Sequence, residues 1–75
     1  MSYGYSARTI LRNKDANPEL IGVRLGHVCI EKNVSVADVA RELRVTRQTI
    51  YNWFFGTGSP VRALVPAVEL YLSSL

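Results

Sequence analysis

Between residues 35 and 55 the apolar positions follow helical spacing on two successive short segments. Val36, Val39, Ala40 and Leu43 fall at i, i+3, i+4 and i+7, one buried stripe, while Asp38, Arg41 and Glu42 fall on the watered side. Ser35 offers an oxygen to the first free N–H groups of that segment. Asp38, three residues on, completes a Ser-x-x-acid box, so a helix is predicted from Ser35 to about Leu43. Thr46 offers a second cap, and Ile50, Trp53 and Phe54 repeat the spacing, so another helix follows after only Arg44 and Val45. So short a turn forces a sharp angle. Trp53 lies on the buried stripe, and Arg47, Gln48, Tyr51 and Asn52 lie opposite or beside it.

The flanking segments carry their own signals. In Asn17-Pro18-Glu19 the Asn caps, Pro takes a first-turn position where its missing N–H costs nothing, and Glu complements the helix dipole. A helix is predicted from Pro18 to about Lys32, burying Ile21, Leu25, Val28 and Cys29, with Asn33 as a left-handed stop. Gly22 and Gly26, one turn apart, favour close local packing over a dedicated dimer motif. After Phe55 and Gly56, Thr57-Gly58-Ser59-Pro60 ends regular structure. It is no P-loop, since no strand precedes it and no Gly-Lys-Ser/Thr occurs. Pro66 places the start of a last helix at Val65 or Pro66, running to about Ser74. Val68, Leu72 and Leu75 line one face of it, with Leu64 and Leu70 nearby. Two covers for that surplus stand open: a second copy of the chain, or residues 1–16 folding back. The N-terminal stretch itself has two readings. Ser6 can cap a short helix through Asn13 with Ile10 and Leu11 inward, and Tyr3 and Tyr5 alternate with small residues as in an arm.

Length and composition bound the possibilities. A chain of 75 residues is one small domain, near the lower limit for a self-sufficient core, so dimerisation would help. Apolar residues make up 48% of it, yet none of its runs approaches the roughly 18 needed to span a bilayer. The N-terminus lacks the apolar block of a secretion signal, and the single Cys29 allows no intrachain disulfide, which fits a reducing cytoplasm. The net charge of +3 favours an anionic partner. Its distribution says more: Arg8, Arg12 and Lys14 form an N-terminal basic cluster, and Arg41, Arg44 and Arg47 gather at the turn.

Catalysis finds no support in these residues. His27 and Cys29 lie two apart on a helix, about 200° around its axis, so they cannot face each other as base and nucleophile. One His and one Cys make a poor zinc site. The carboxylates sit in capping or solvated positions with no acid/base pair among them. Neither metal, cofactor nor small-molecule ligand is expected.

The side chains facing outward after Thr46 suit base edges in a major groove: Arg47 for guanine, Gln48 and Asn52 for adenine. A solvated helical hairpin is the plainer alternative. Against it, the stretch from Ile21 to Gly56 resembles, without a gap, the helix-turn-helix of the phage lambda repressor, Cro and XRE family. The resemblance runs through Ile21, Gly22 and Leu25, then Ser35, Ala40 and Leu43, then Val45, Thr46, Ile50, Trp53 and Gly56. Three departures mark it. Arg44 stands where the family usually has a turn Gly, and a non-Gly residue in the left-handed region costs on the order of 1 kcal/mol. Val36 replaces a frequent phosphate-contacting Gln, so that contact does not carry over. Cys29 and Phe54 together replace a buried Arg–Glu pair, and exchanging both partners for apolar groups is compatible with the same fold.

What the resemblance implies is an all-α, compact four- to five-helix bundle containing a helix-turn-helix, with residues 18–75 as the DNA-binding domain and residues 1–17 as an extension or arm. The implied function is a sequence-specific transcriptional regulator of the Cro-like repressor type, a cytoplasmic homodimer that inserts the helix 46–55 into the major groove of an operator. Arg47, Gln48 and Asn52 would read bases. Ser35, Thr46, Tyr51, Thr57, Ser59 and Arg62 would hold the DNA backbone, and Arg8, Arg12 and Lys14 form a possible DNA arm or a solvated tail. Two other classes remain: a phage-type adaptor binding a protein through Tyr51, Phe54 and Phe55, and the DNA-binding subunit of a recombination or packaging complex.

Overall fold

The computed structural model describes residues 4–75, all-helical with no strand among them. Five α-helices follow in order: α1 Ala7–Asp15, α2 Ile21–Glu31, α3 Val36–Leu43, α4 Arg47–Phe55 and α5 Val65–Ser74, the last entered through a 3-10 turn at Arg62–Leu64. No described helix is long and apolar enough to cross a membrane. Tyr3 lies outside the described residues.

The two turns around α3 are built alike. At each, a residue in the left-handed region ends one helix, a valine follows, and a hydroxyl residue caps the next. Asn33 (φ 58°) precedes Val34 and Ser35; Arg44 (φ 58°) precedes Val45 and Thr46. Val34 N–H donates to the Cys29 carbonyl at 2.8 Å and Val45 N–H to the Ala40 carbonyl at 3.0 Å, six-to-one bonds that close the last turn. Ser35 and Thr46 then accept from the N–H groups of Asp38 and Thr49. Both valines are also packed against the core, so one apolar residue serves the end of one helix and the start of the next. The Ser35–Asp38 box is only half formed: the Asp38 carboxylate pairs with Arg41 instead of turning back to Ser35.

Arg44 occupies the left-handed region at the place a glycine would fill without a Cβ penalty. Relief of that penalty, about 1–2 kcal/mol, outweighs the extra freedom glycine gives the unfolded chain, about 0.5–1 kcal/mol. Arg44→Gly should therefore raise stability by about 0.5–1 kcal/mol in urea unfolding at about 0.5 M salt, which screens the charge removed. A fall in the urea midpoint would show that the arginine is not strained there.

The core forms where α4 packs between α2 and α3. Leu25, Cys29, Val39, Ile50, Phe54 and Val68 are fully buried. Gly22 and Gly26 let α2 and α4 approach: a Cβ at Gly22 would stand 2.6 Å from the Trp53 Cβ, and one at Gly26 2.7 Å from the Phe54 Cγ. The pair thus serves packing within the chain. α5 begins with Pro in its first turn, lays Val68 into the core, and is tied to α2 where Lys32 Nζ donates to the Leu75 carbonyl at 2.6 Å.

Two expectations change at the N-terminal side. α2 begins at Ile21 rather than Pro18, because the Asn17 side chain accepts from Glu19 N–H and the Leu20 N–H turns back to the Asn17 carbonyl, closing a separate turn. Of the two readings of the N-terminal stretch, residues 5–15 follow the Ser6-capped helix, packed into the bundle, and not the arm. Ser6 caps α1, Tyr5 is buried, and Ile10 lies against the core. Leu11, expected inward, is 59% exposed, because the α1 face that meets the core is set by Ile10 and Asn13. The Tyr5 hydroxyl donates to the Val34 carbonyl at 2.5 Å, and burial pushes the phenol's pKa up, keeping that donor protonated.

Asn13 is the polar centre of this packing. Only 4% exposed, its Nδ2 donates to the Phe54 carbonyl at 2.7 Å and the Val23 carbonyl at 3.2 Å, joining α1, α2 and α4 at one atom. Phe54 needs that donor. The N–H groups of Thr57 and Gly58 both turn to the Asn52 carbonyl, so the chain beyond α4 leaves the Phe54 oxygen to Asn13.

Candidate nucleic-acid interface

Around α4, Ile50, Trp53 and Phe54 face the core, Gln48 and Asn52 lie opposite, and Arg47, Tyr51 and Phe55 run along one flank, with Arg47 and Gln48 exposed and the rest half-buried, Tyr51 and Phe55 packed against the edge of the core. Positions four apart on a helix are neighbours. The outer side therefore carries two ridges, Gln48–Asn52 and Arg47–Tyr51–Phe55.

The first ridge is a hydrogen-bonded unit: Gln48 Nε2 donates to Asn52 Oδ1 at 3.1 Å. That bond leaves the Gln48 carbonyl oxygen as an acceptor and the Asn52 amide as a donor. Together they offer both signs of hydrogen bond to one partner edge. In the second ridge the rings of Tyr51 and Phe55 stack with centroids 5.8 Å apart, and the Arg12 guanidinium lies 3.9 Å over the Phe55 ring. Phe55 did not figure among the sequence-derived contacts for DNA, although its i+4 relation to Tyr51 signals the stack. Phe54 is fully buried and drops out of the aromatic surface patch expected of Tyr51, Phe54 and Phe55.

Hydroxyls near the two caps differ in what they leave free. Ser35 Oγ accepts from Asp38 N–H, so its own proton remains to donate. Thr46 and Thr49 share one hydroxyl proton across 2.9 Å, and the other of the two protons points elsewhere. The Thr57 hydroxyl donates to the Asn52 carbonyl at 3.3 Å, which commits its proton to ending α4. Ser59 and Arg62 are exposed on the segment leading to α5.

Of the three arginines near the turn, Arg41 is paired with Asp38, whereas Arg44 and Arg47 have no carboxylate within ion-pair distance among the described residues. The N-terminal side of α4 therefore carries positive charge that the protein does not neutralise. The N-terminal basic cluster is split by the helix that bears it. Arg12 meets α4, while Lys14 lines a separate groove with Pro18, Arg24, His27 and Leu72.

His27 is exposed and lies 3.7 Å from Glu31, while Cys29 is fully buried and burial pushes its thiol up to about 12. The two sit on different sides of α2, and the thiol stays protonated at neutral pH. Among the described residues no group of three His, Cys, Asp or Glu side chains is placed to hold a metal ion. Comparisons with protein-family models, curated proteins and solved structures returned no match.

Proposed function

We propose that the chain is a sequence-specific DNA-binding regulator in which α3 and α4 act as a helix-turn-helix and α4 enters the major groove. The observation that carries this is the outer side of α4: an amide pair already joined to each other, flanked by uncompensated arginines, on a helix whose opposite side is locked in the core. A base edge needs bonds of both signs from a rigid support, which Gln48 and Asn52 supply, and Arg47 suits guanine. In this reading Ser35, Thr46, Tyr51, Ser59 and Arg62 hold phosphates, and Thr57 serves mainly to cap α4.

The functional unit in this reading is a homodimer on an operator, acting as a Cro-like repressor in the cytoplasm. Leu70, 73% exposed on α5 beside Ala67 and Tyr71, is the apolar surface a second copy would cover. Half-site spacing in selected DNA would report that symmetry.

Selection from random duplex DNA followed by mobility shifts tests the proposal. Arg47→Ala and Gln48→Ala should each cost about 1–3 kcal/mol on the selected site and much less on unrelated duplexes. Equal losses on every sequence would assign these side chains to phosphate alone. No shift of any duplex at low salt would overturn DNA binding and leave the half-exposed Tyr51–Phe55 stack as a protein contact.

A further inference from the structure

We infer that Arg8 and Arg12 of α1 form a phosphate-binding ridge continuing the reading side of α4, and that Lys14 is not part of it. The inference rests on duplex DNA lying against α4. Arg12 carries its guanidinium carbon 3.9 Å over the Phe55 ring, which stacks on Tyr51, so the guanidinium stands at the C-terminal end of the Arg47–Tyr51–Phe55 ridge. One face of a guanidinium stacked on a ring leaves its in-plane N–H donors for a phosphate. No carboxylate claims them: Asp15, three residues on, forms no ion pair with Arg12. Arg8 is exposed one turn earlier on the same side of α1.

Asn13, next to Arg12, is bonded to the Phe54 carbonyl, so α1 is tied to the last turn of α4. A cation there also answers a local problem, because the C-terminal end of a helix carries partial negative charge that repels phosphate. Arg44 and Arg47 at one end of α4 and Arg12 at the other, with Arg8 one turn before it on α1, thus put cations at both ends of the helix that faces the groove. Lys14, about 200° around α1 from Arg12, points into the α2 groove beside Arg24 instead.

Three alanine variants with the same change in net charge separate placement from charge. Binding of Arg8→Ala, Arg12→Ala and Lys14→Ala to the selected duplex is measured by fluorescence anisotropy across a salt series, with far-UV circular dichroism to confirm folding. Arg12→Ala and Arg8→Ala should each weaken binding on the order of tenfold at low salt and reduce the magnitude of the log–log salt slope by about one. Lys14→Ala should keep the wild-type slope. Phe55→Leu, which retains bulk and removes the ring, should lose part of the Arg12 effect and add little on top of Arg12→Ala. A slope unchanged in Arg12→Ala, or reduced equally in all three, overturns the ridge while leaving wild-type DNA binding intact. Failure of the wild-type chain to bind any duplex overturns the underlying reading as well.

Discussion

Asn13→Asp should stay folded near pH 4 and lose roughly 3–4 kcal/mol of stability by pH 8, although it exchanges one nitrogen for one oxygen. The native amide is 4% exposed and gives both its protons to carbonyl oxygens, of Phe54 at 2.7 Å and Val23 at 3.2 Å. A protonated carboxyl can replace one of those bonds. A carboxylate can replace neither, and it places a charge against two acceptors in a dry site. Burial and the facing carbonyls therefore hold the folded pKa of the new side chain well above its unfolded value of about 3.9. The folded state then binds more protons than the unfolded state above pH 3.9. Apart from the one bond the carboxyl cannot replace, stability is retained below that pH and falls as pH rises toward the folded pKa, by about 1.4 kcal/mol per unit. Urea midpoints of the variant and wild type at pH 4, 6 and 8 give the difference directly. A loss that did not change with pH would mean the side chain swings out to water, and Asn13 would not be the clamp between α1 and α4.

Asn13 also marks where sequence stopped being legible. Every helix of the bundle announces itself locally: hydroxyl caps at Ser6, Ser35 and Thr46, left-handed stops at Asn33 and Gly56, and Pro66 in the first turn of α5. Caps act over four residues, so they can be read from four residues. The Phe54 carbonyl that Asn13 satisfies is 41 positions away, and nothing local to either residue shows it. Tyr5 was more accessible. It precedes the Ser6 cap and stands five residues before Ile10, and both belong to or pack against the core, as do Val34 and Val39 around Ser35 and Val45 and Ile50 around Thr46. That repeated staple was the signal that α1 belongs to the bundle. On α4 the period alone separates Ile50, Trp53 and Phe54 from Gln48 and Asn52, and it puts Arg47 beside the buried stripe, exposed because it stands in the first turn. It does not show that Gln48 and Asn52 bond to each other, that Thr57 spends its proton on α4, or that Arg12 and Lys14 part company. Those follow from tertiary placement.

Phe54→Ala and Phe55→Ala, adjacent in sequence, should differ by about 1–4 kcal/mol. Phe54 is the largest of the fully buried side chains, within reach of any Cβ at Gly26 and with its ring 6.4 Å from that of Tyr5. Truncating it loses transfer energy and leaves a cavity, about 3–5 kcal/mol. A 75-residue chain at about 0.05–0.15 kcal/mol per residue has about 4–11 kcal/mol in all, so Phe54→Ala should remove a large share of the stability and lower the unfolding temperature sharply. Phe55 is half-buried at the edge of the core, and its truncation forfeits a ring stack, a cation contact and part of that packing, about 1–2 kcal/mol together. Successive residues on a helix lie about 100° apart, so the pair reports how α4 is rotated against α2. Thermal and urea unfolding of the two variants measure it. Equal losses would place both rings in the core and turn Gln48 and Asn52 away from the position from which they could read a base. A large loss at Phe54 with a small one at Phe55 fixes the helix with its amide pair outward. That is the one rotation in which α4 can enter a groove without drawing its own core into water.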